Sequence, residues 1–237
     1  MKMKVQEMNV DNKRIVLRCD FNVPIKDGVI LDDTKIVASL ETINYLVSKN
    51  CKVIILSHLG KVKSEEDKSK NSLAVVAKRL NELVESNVIF STTTRSPELE
   101  MRVKALQPRE ILVVENTRFE DYPQKLESGN DIQLASYWAS LGDIFVMDAF
   151  GSSHRCHAST AGIAKFLPSC IGFLVQKELM MLNDNVLHAK RPFTIIVVNQ
   201  FPRGKMGGEH TPLATRLHEV ENGIPYFTQI IFSFPFL

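Results

Sequence analysis

Four short apolar runs in this sequence each end in a polar cluster, and those clusters hold its most reactive side chains. Arg14 to Cys19 leads into Asp20-Phe21-Asn22-Val23-Pro24, and residues 53–56 lead into Ser57-His58-Leu59-Gly60-Lys61. Residues 111–114 lead into Glu115-Asn116-Thr117-Arg118-Phe119. Residues 144–147 lead into Asp148-Ala149-Phe150-Gly151 and on to His154-Arg155. If the four runs are parallel strands of one sheet, His58, Lys61, Arg118 and Arg155 arrive at a common edge. Converging cations with a few hydrogen-bonding neighbours suit a small, multiply charged anion such as a phosphorylated acid. Arginine grips planar carboxylates and phosphates with two prongs, and Gly60 lets a ligand approach the backbone. The alternative is that loops are polar anyway and these charges are merely solvated.

Other constellations carry less. Asp20 is a candidate general base, although a carboxylate there more readily orients a neighbouring cation. His154, Cys156 and His157 suggest a metal, but no fourth ligand stands at a familiar spacing, so loop packing is the expectation and no metal site is assigned. No G-x-x-x-x-G-K-[ST] loop and no G-x-G-x-x-G turn occurs. Gly204, Gly207 and Gly208 surround Lys205 without a recognised pattern.

The elements that must position these clusters follow from periodicity. Ile36, Leu40, Ile43 and Leu46 share one helical face after a cap at Asp33 or Thr34. Leu73, Val76, Leu80 and Leu83 form a second stripe opening at Ser72, residues 88–90 a short strand, and Ser96-Pro97-Glu98 a helix start. A helix near residues 131–141 continues the alternation. Strands alternating with amphipathic helices predict an α/β fold with a parallel sheet covered on both faces. In such sheets ligands bind outside the carboxyl ends of the strands.

Composition sets the outer limits. The 237 residues carry a formal net charge of +2, too near neutral to argue for nucleic acid or an anionic membrane. No basic stretch interleaved with aromatics supports nucleic-acid binding. The cysteines, at 19, 51, 156 and 170, form no C-x-x-C pair and no disulfide framework, which favours a reducing compartment. With no leader and no run long enough to cross a bilayer, the expectation is a soluble, cytoplasmic chain.

Together the strings Arg18-Cys19-Asp20-Phe21-Asn22-Val23-Pro24, Leu56-Ser57-His58-Leu59-Gly60, Val114-Glu115-Asn116-Thr117-Arg118-Phe119, and Asp148-Ala149-Phe150-Gly151 through His157-Ala158-Ser159 resemble phosphoglycerate kinase. The resemblance spans about residues 1 to 198. It implies a three-layer α/β/α Rossmann-like domain over residues 1–170 that holds the phosphoglycerate. A connector helix (171–190) would follow, then the first strand of a nucleotide domain (191–198) and a divergent tail (199–237). The family transfers a phosphoryl group between 1,3-bisphosphoglycerate and ADP, giving 3-phosphoglycerate and magnesium-ATP in glycolysis, and is usually monomeric. By motif, Asp20, Asn22, His58, Leu59, Gly60, Arg118 and Arg155 fall on its substrate-binding positions.

The chain also departs from that pattern. Lys35 and Lys61 stand where the family has arginine, the first being the position that stabilises the transferring phosphoryl. Lysine keeps the charge but offers a compact ammonium in place of a planar fork. Met147 replaces the family's asparagine. Near Asn199, where the family continues with a glycine-rich segment and a nucleotide-contacting lysine, the resemblance stops. A truncation or frameshift there is the expectation, with no ATP or ADP site in this chain and impaired turnover. A 3-phosphoglycerate-binding module without catalysis, or an inactive remnant, is the alternative.

Overall fold

A computed structural model of the chain describes residues 3–183. Its strands are β1 (Arg14–Cys19), β2 (Ile25–Lys26), β3 (Val29–Ile30), β4 (Lys52–Leu56), β5 (Val88–Phe90), β6 (Ile111–Val113), β7 (Ile144–Asp148) and β8 (Ser169–Ile171). Its α-helices are α1 (Thr34–Ser48), α2 (Glu65–Lys70), α3 (Ala74–Leu83), α4 (Pro97–Ala105), α5 (Ile132–Ser140), α6 (Phe150–Ser153) and α7 (Phe173–Leu182). Six strands form one sheet in the order β5-β6-β4-β1-β7-β8, with every pairing parallel. No helix among the described residues is long and apolar enough to cross a membrane.

Strand periodicity sorts the core into two layers. Ile15, Leu17, Val53, Ile55, Ile111, Val113 and Val146 face α1 and α3, meeting Ile36, Ile43, Leu46, Val76 and Leu80. The alternate residues Val16, Ile54, Leu56, Leu112 and Phe145 face α4 and α5, meeting Leu99, Val103, Leu134 and Trp138. Both faces are buried, which is why the strands read as continuous apolar runs. β1 sits where the chain order reverses, with β4 on one side and β7 on the other. Such a switch point opens a crevice at the carboxyl ends of the strands.

Local chemistry explains the ends of the elements. Asp27 and Gly28 both have positive φ (51° and 76°), the left-handed pair that a two-residue hairpin between β2 and β3 requires. Ser96 caps α4 by accepting from the Leu99 amide at 3.1 Å, with Pro97 in the first turn as the sequence predicts. Asp33 stands at the N-cap of α1 as expected, but its side chain does not close the first turn. Asp32 Oδ1 accepts from the Thr34 amide at 2.9 Å, while Asp33 instead accepts from Arg79 Nε at 2.9 Å. The helix expected from Ser72 starts at Ala74, because the Ser72 hydroxyl and the Leu73 amide both donate to Glu115 (2.7 and 2.8 Å).

Several elements went unpredicted, among them the β2 and β3 pair, α6, α2 and β8. α2 buries nothing, so it leaves no apolar stripe to read. β8 is three residues long, and its Cys170 alone is fully inside. The helix expected near Lys177-Glu178-Leu179 is α7. The first strand of a second domain, the break near Asn199 and the tail fall outside the described residues.

Candidate functional site

The carboxyl ends of β1, β4, β6 and β7 are neighbours in the sheet, and a continuous set of hydrogen bonds joins the loops that follow three of them. Ser57 ties β4 to β1: its hydroxyl donates to the Cys19 carbonyl (2.9 Å) and accepts from the Phe21 amide (2.8 Å). Asp20 Oδ2 accepts from Lys35 Nζ at 3.1 Å, and Asp20 Oδ1 from the Asn22 amide at 3.1 Å. Asn22 Oδ1 in turn accepts from the Gly60 amide at 2.9 Å. Gly60 has φ of +61°, and a Cβ there would stand 2.7 Å from Asn71 Oδ1, so both the backbone and the space ask for glycine.

Asn116 is the fixed point of the next junction. It is fully buried. Its Nδ2 donates to the carbonyls of Leu59 (2.7 Å) and Asn71 (2.9 Å). Its Oδ1 accepts from the amides of Leu59 (3.2 Å) and Arg118 (3.0 Å). One side chain therefore sets the His58-Leu59-Gly60 loop against the turn that carries Arg118. In the sequence Asn116 is only one letter of a motif, since nothing in spacing distinguishes a buried bracket from a solvated asparagine.

Arg118 is not a free cation. Its Nη1 donates to Asp121 Oδ2 at 2.6 Å, and both side chains are about nine-tenths buried. Asp121 was not anticipated, although its spacing of three from Arg118 in a helical turn is a legible signal. Lys61 is exposed and shares with Arg118 a cleft of 350 Å³, lined also by Lys63, Tyr122 and Lys125. A larger depression of 510 Å³ on α5 and Phe166 has no charged side chain and none of the strand-end residues.

Beneath His58 lies Arg18, wholly buried in β1. Its Nη2 stands 3.2 Å from His58 Nδ1, and its Nε donates to Ser159 Oγ at 2.9 Å. The third Arg18 nitrogen, Nη1, donates to the Cys19 carbonyl. Burial holds the His58 imidazole well below its ordinary pKa, and the positive charges of Arg18, Arg118, Lys35 and Arg155 push the same way. Of the cations expected at this edge Arg118 and Arg155 act on the ring, joined by Arg18 from β1 and Lys35 from α1, whereas Lys61 is not among them. Arg18 was legible after all, as a lone charge inside the run Ile15-Val16-Leu17-Arg18-Cys19.

The loop after β7 is half-buried at Arg155 and turns inward at His157. Burial, then Arg118, Arg18 and Arg155, lower the His157 imidazole to about 4, so it is neutral at ordinary pH. Its 3.7 Å approach to Glu127 Oε1 is therefore a contact of a neutral ring. His154 and Cys156 are exposed and His157 is buried, and among the described residues no group of three His, Cys, Asp or Glu side chains could hold a metal ion.

Comparison with known proteins finds one family throughout. The family model for phosphoglycerate kinase matches residues 5–199. The phosphoglycerate kinase of Lacticaseibacillus casei is 47% identical over 231 residues, 97% of this chain and 56% of the relative. That of Listeria innocua is 50% identical over 206 residues, 87% of this chain and 52% of the relative. Among solved structures, phosphoglycerate kinase from Coxiella burnetii superposes with a TM-score of 0.67 at 36% identity, over 78% of this chain and 45% of that one. The enzyme from Pyrococcus horikoshii gives 0.70 at 30% identity, over 80% and 47%. The chain spans about half the length of the curated relatives it matches.

Proposed function

The chain belongs to the phosphoglycerate kinase family, and on that premise we propose that the strand-end crevice binds 3-phosphoglycerate and 1,3-bisphosphoglycerate. The observation that carries this reading is the focus of four cations, Arg18, Arg118, Lys35 and Arg155, on the single imidazole of His58. A phosphorylated sugar acid is the class of ligand that such a field with few carboxylates attracts.

The roles divide by chemistry. Arg118 and Arg155 pair with phosphate or carboxylate oxygens. Among the described residues Asp121 holds Nη1 of Arg118, which leaves Nε and Nη2 for that purpose. The Asn22 side chain and the His58, Leu59 and Gly60 loop fix the orientation of the ligand. Lys35, held by Asp20, stands where the family's phosphoryl-stabilising arginine would be, and Lys61 supplies charge at the rim. The reaction is phosphoryl transfer between 1,3-bisphosphoglycerate and ADP, a glycolytic, cytoplasmic step. It needs no covalent intermediate, only alignment and charge stabilisation on the migrating group. Losing one such donor typically lowers the rate by about a hundredfold or more.

A polypeptide of these 237 residues on its own is expected to bind the phosphoglycerate and turn over poorly, because half of the relatives' length has no counterpart in it. Titration calorimetry with 3-phosphoglycerate should show heat that Arg118→Ala abolishes, and a coupled assay with magnesium-ATP should show little activity. Absence of heat from the parent chain would refute the binding reading, and brisk turnover would refute the impairment.

A further inference from the structure

Three facts about Arg18 belong together. It is a guanidinium with no exposed surface, it faces Nδ1 of His58 at 3.2 Å, and it reaches a buried carboxylate through one hydroxyl. Arg18 Nε donates to Ser159 Oγ (2.9 Å), and that hydroxyl donates to Glu127 Oε1 (2.5 Å). Glu127 is itself fully buried, and its other oxygen accepts from the Ser159 amide at 2.9 Å. A guanidinium has donors and no acceptor. The nitrogen of His58 that it faces must therefore offer a lone pair, which leaves the ring proton on Nε2.

We propose that Arg18 and Glu127 are positioning residues which, through Ser159, hold His58 as a neutral imidazole protonated on Nε2. His58 then presents an N–H donor to the bound anion and acts neither as a general base nor as a cation. The groups around the ring agree. Arg18 from β1, Lys35 from α1, Arg118 from the turn after β6 and Arg155 after α6 are all positive. The nearby carboxylates Asp20 and Asp121 are each engaged by a cation, Lys35 and Arg118 respectively. Nothing in this surrounding favours a second positive charge on the ring. The ligand role rests on the phosphoglycerate reading, whereas the tautomer does not.

The test is a nitrogen-15 spectrum of the histidine side chains in the labelled 237-residue chain, with and without 3-phosphoglycerate. His58 should show a lone-pair shift at Nδ1 and a protonated shift at Nε2, unchanged from about pH 8 to about pH 5.5, across the range where an ordinary histidine titrates. Ser159→Ala keeps both charges and removes the bridge. It should give mixed tautomers at His58 and about a tenfold loss of 3-phosphoglycerate affinity, the order of one charge-assisted hydrogen bond. Glu127→Gln should do the same if it folds, and Ser159→Ala serves if it does not. A proton on Nδ1, or titration near the ordinary value, overturns the proposal even if the calorimetric heat persists. The expected tautomer without any heat sustains it and overturns the binding reading instead.

Discussion

Replacing Asn116 by alanine tests whether one buried amide assembles this crevice. The side chain makes four hydrogen bonds, two donated to the carbonyls of Leu59 and Asn71 and two accepted from the amides of Leu59 and Arg118. At about 1 kcal/mol net for each, the loss is about 4 kcal/mol, and buried peptide groups left unpaired press it upward. A domain of this size commonly has about 5 to 15 kcal/mol in hand, so the variant should still fold. Urea unfolding followed by circular dichroism should show a lower midpoint with an unchanged slope, and heating should lower Tm by about 8 to 16 °C. Titration with 3-phosphoglycerate on the folded variant should also show weaker binding, because the His58 loop and the Arg118 turn lose their common bracket. A destabilisation below about 1 kcal/mol would refute the reasoning, since the four bonds would then be exchanged for water at no cost.

Three further outcomes follow from the same geometry. Burial pushes the Asp148 carboxyl up to about 6, so the folded chain holds that proton more tightly than the unfolded chain. Its contribution to stability is present below about pH 4 and lost as pH rises to about 6, about 3 kcal/mol in all; Asp148→Asn should flatten the pH dependence of unfolding in that window, and an unaltered profile would place its cause elsewhere. Gly60→Ala combines a positive φ with a Cβ 2.7 Å from Asn71 Oδ1 and should cost about 1 to 2 kcal/mol in thermal or chemical unfolding, with neutrality counting against the close approach. Asp121→Asn removes the charge that pairs with Arg118 and can keep accepting from the Ser128 amide. Its affinity for 3-phosphoglycerate should rise several-fold at low salt and converge with the parent as salt increases; weaker binding would mean that Asp121 aims Arg118 and does not compete with the ligand.

The sequence disclosed the scaffold better than the supports of the site. The strands stood out because burial on two faces leaves uninterrupted apolar letters, and His58, Gly60 and Arg118 stood out because they follow such runs. α2 and β8 stayed hidden, one too polar and the other too short to show a period. Asn116 and Glu127 stayed hidden for a different reason. Their importance comes from partners distant in sequence, Leu59 in one case and Ser159 in the other. A buried polar residue is specified by its partners and not by its neighbours in the chain. Arg18 lies between these cases, a charge inside an apolar strand whose partner no local pattern could name.

The placing of the crevice within the sheet has a mechanical consequence. Its loops leave four contiguous interior strands, β6, β4, β1 and β7, while the outermost strands β5 and β8 contribute none of its residues. Those outer strands have three residues each, so they can fray and re-form without disturbing the crevice. Amide exchange should accordingly be faster at Val88–Phe90 and Ser169–Ile171 than at Arg14–Cys19, with the margins of the sheet acting as a sacrificial hem around a quiet centre.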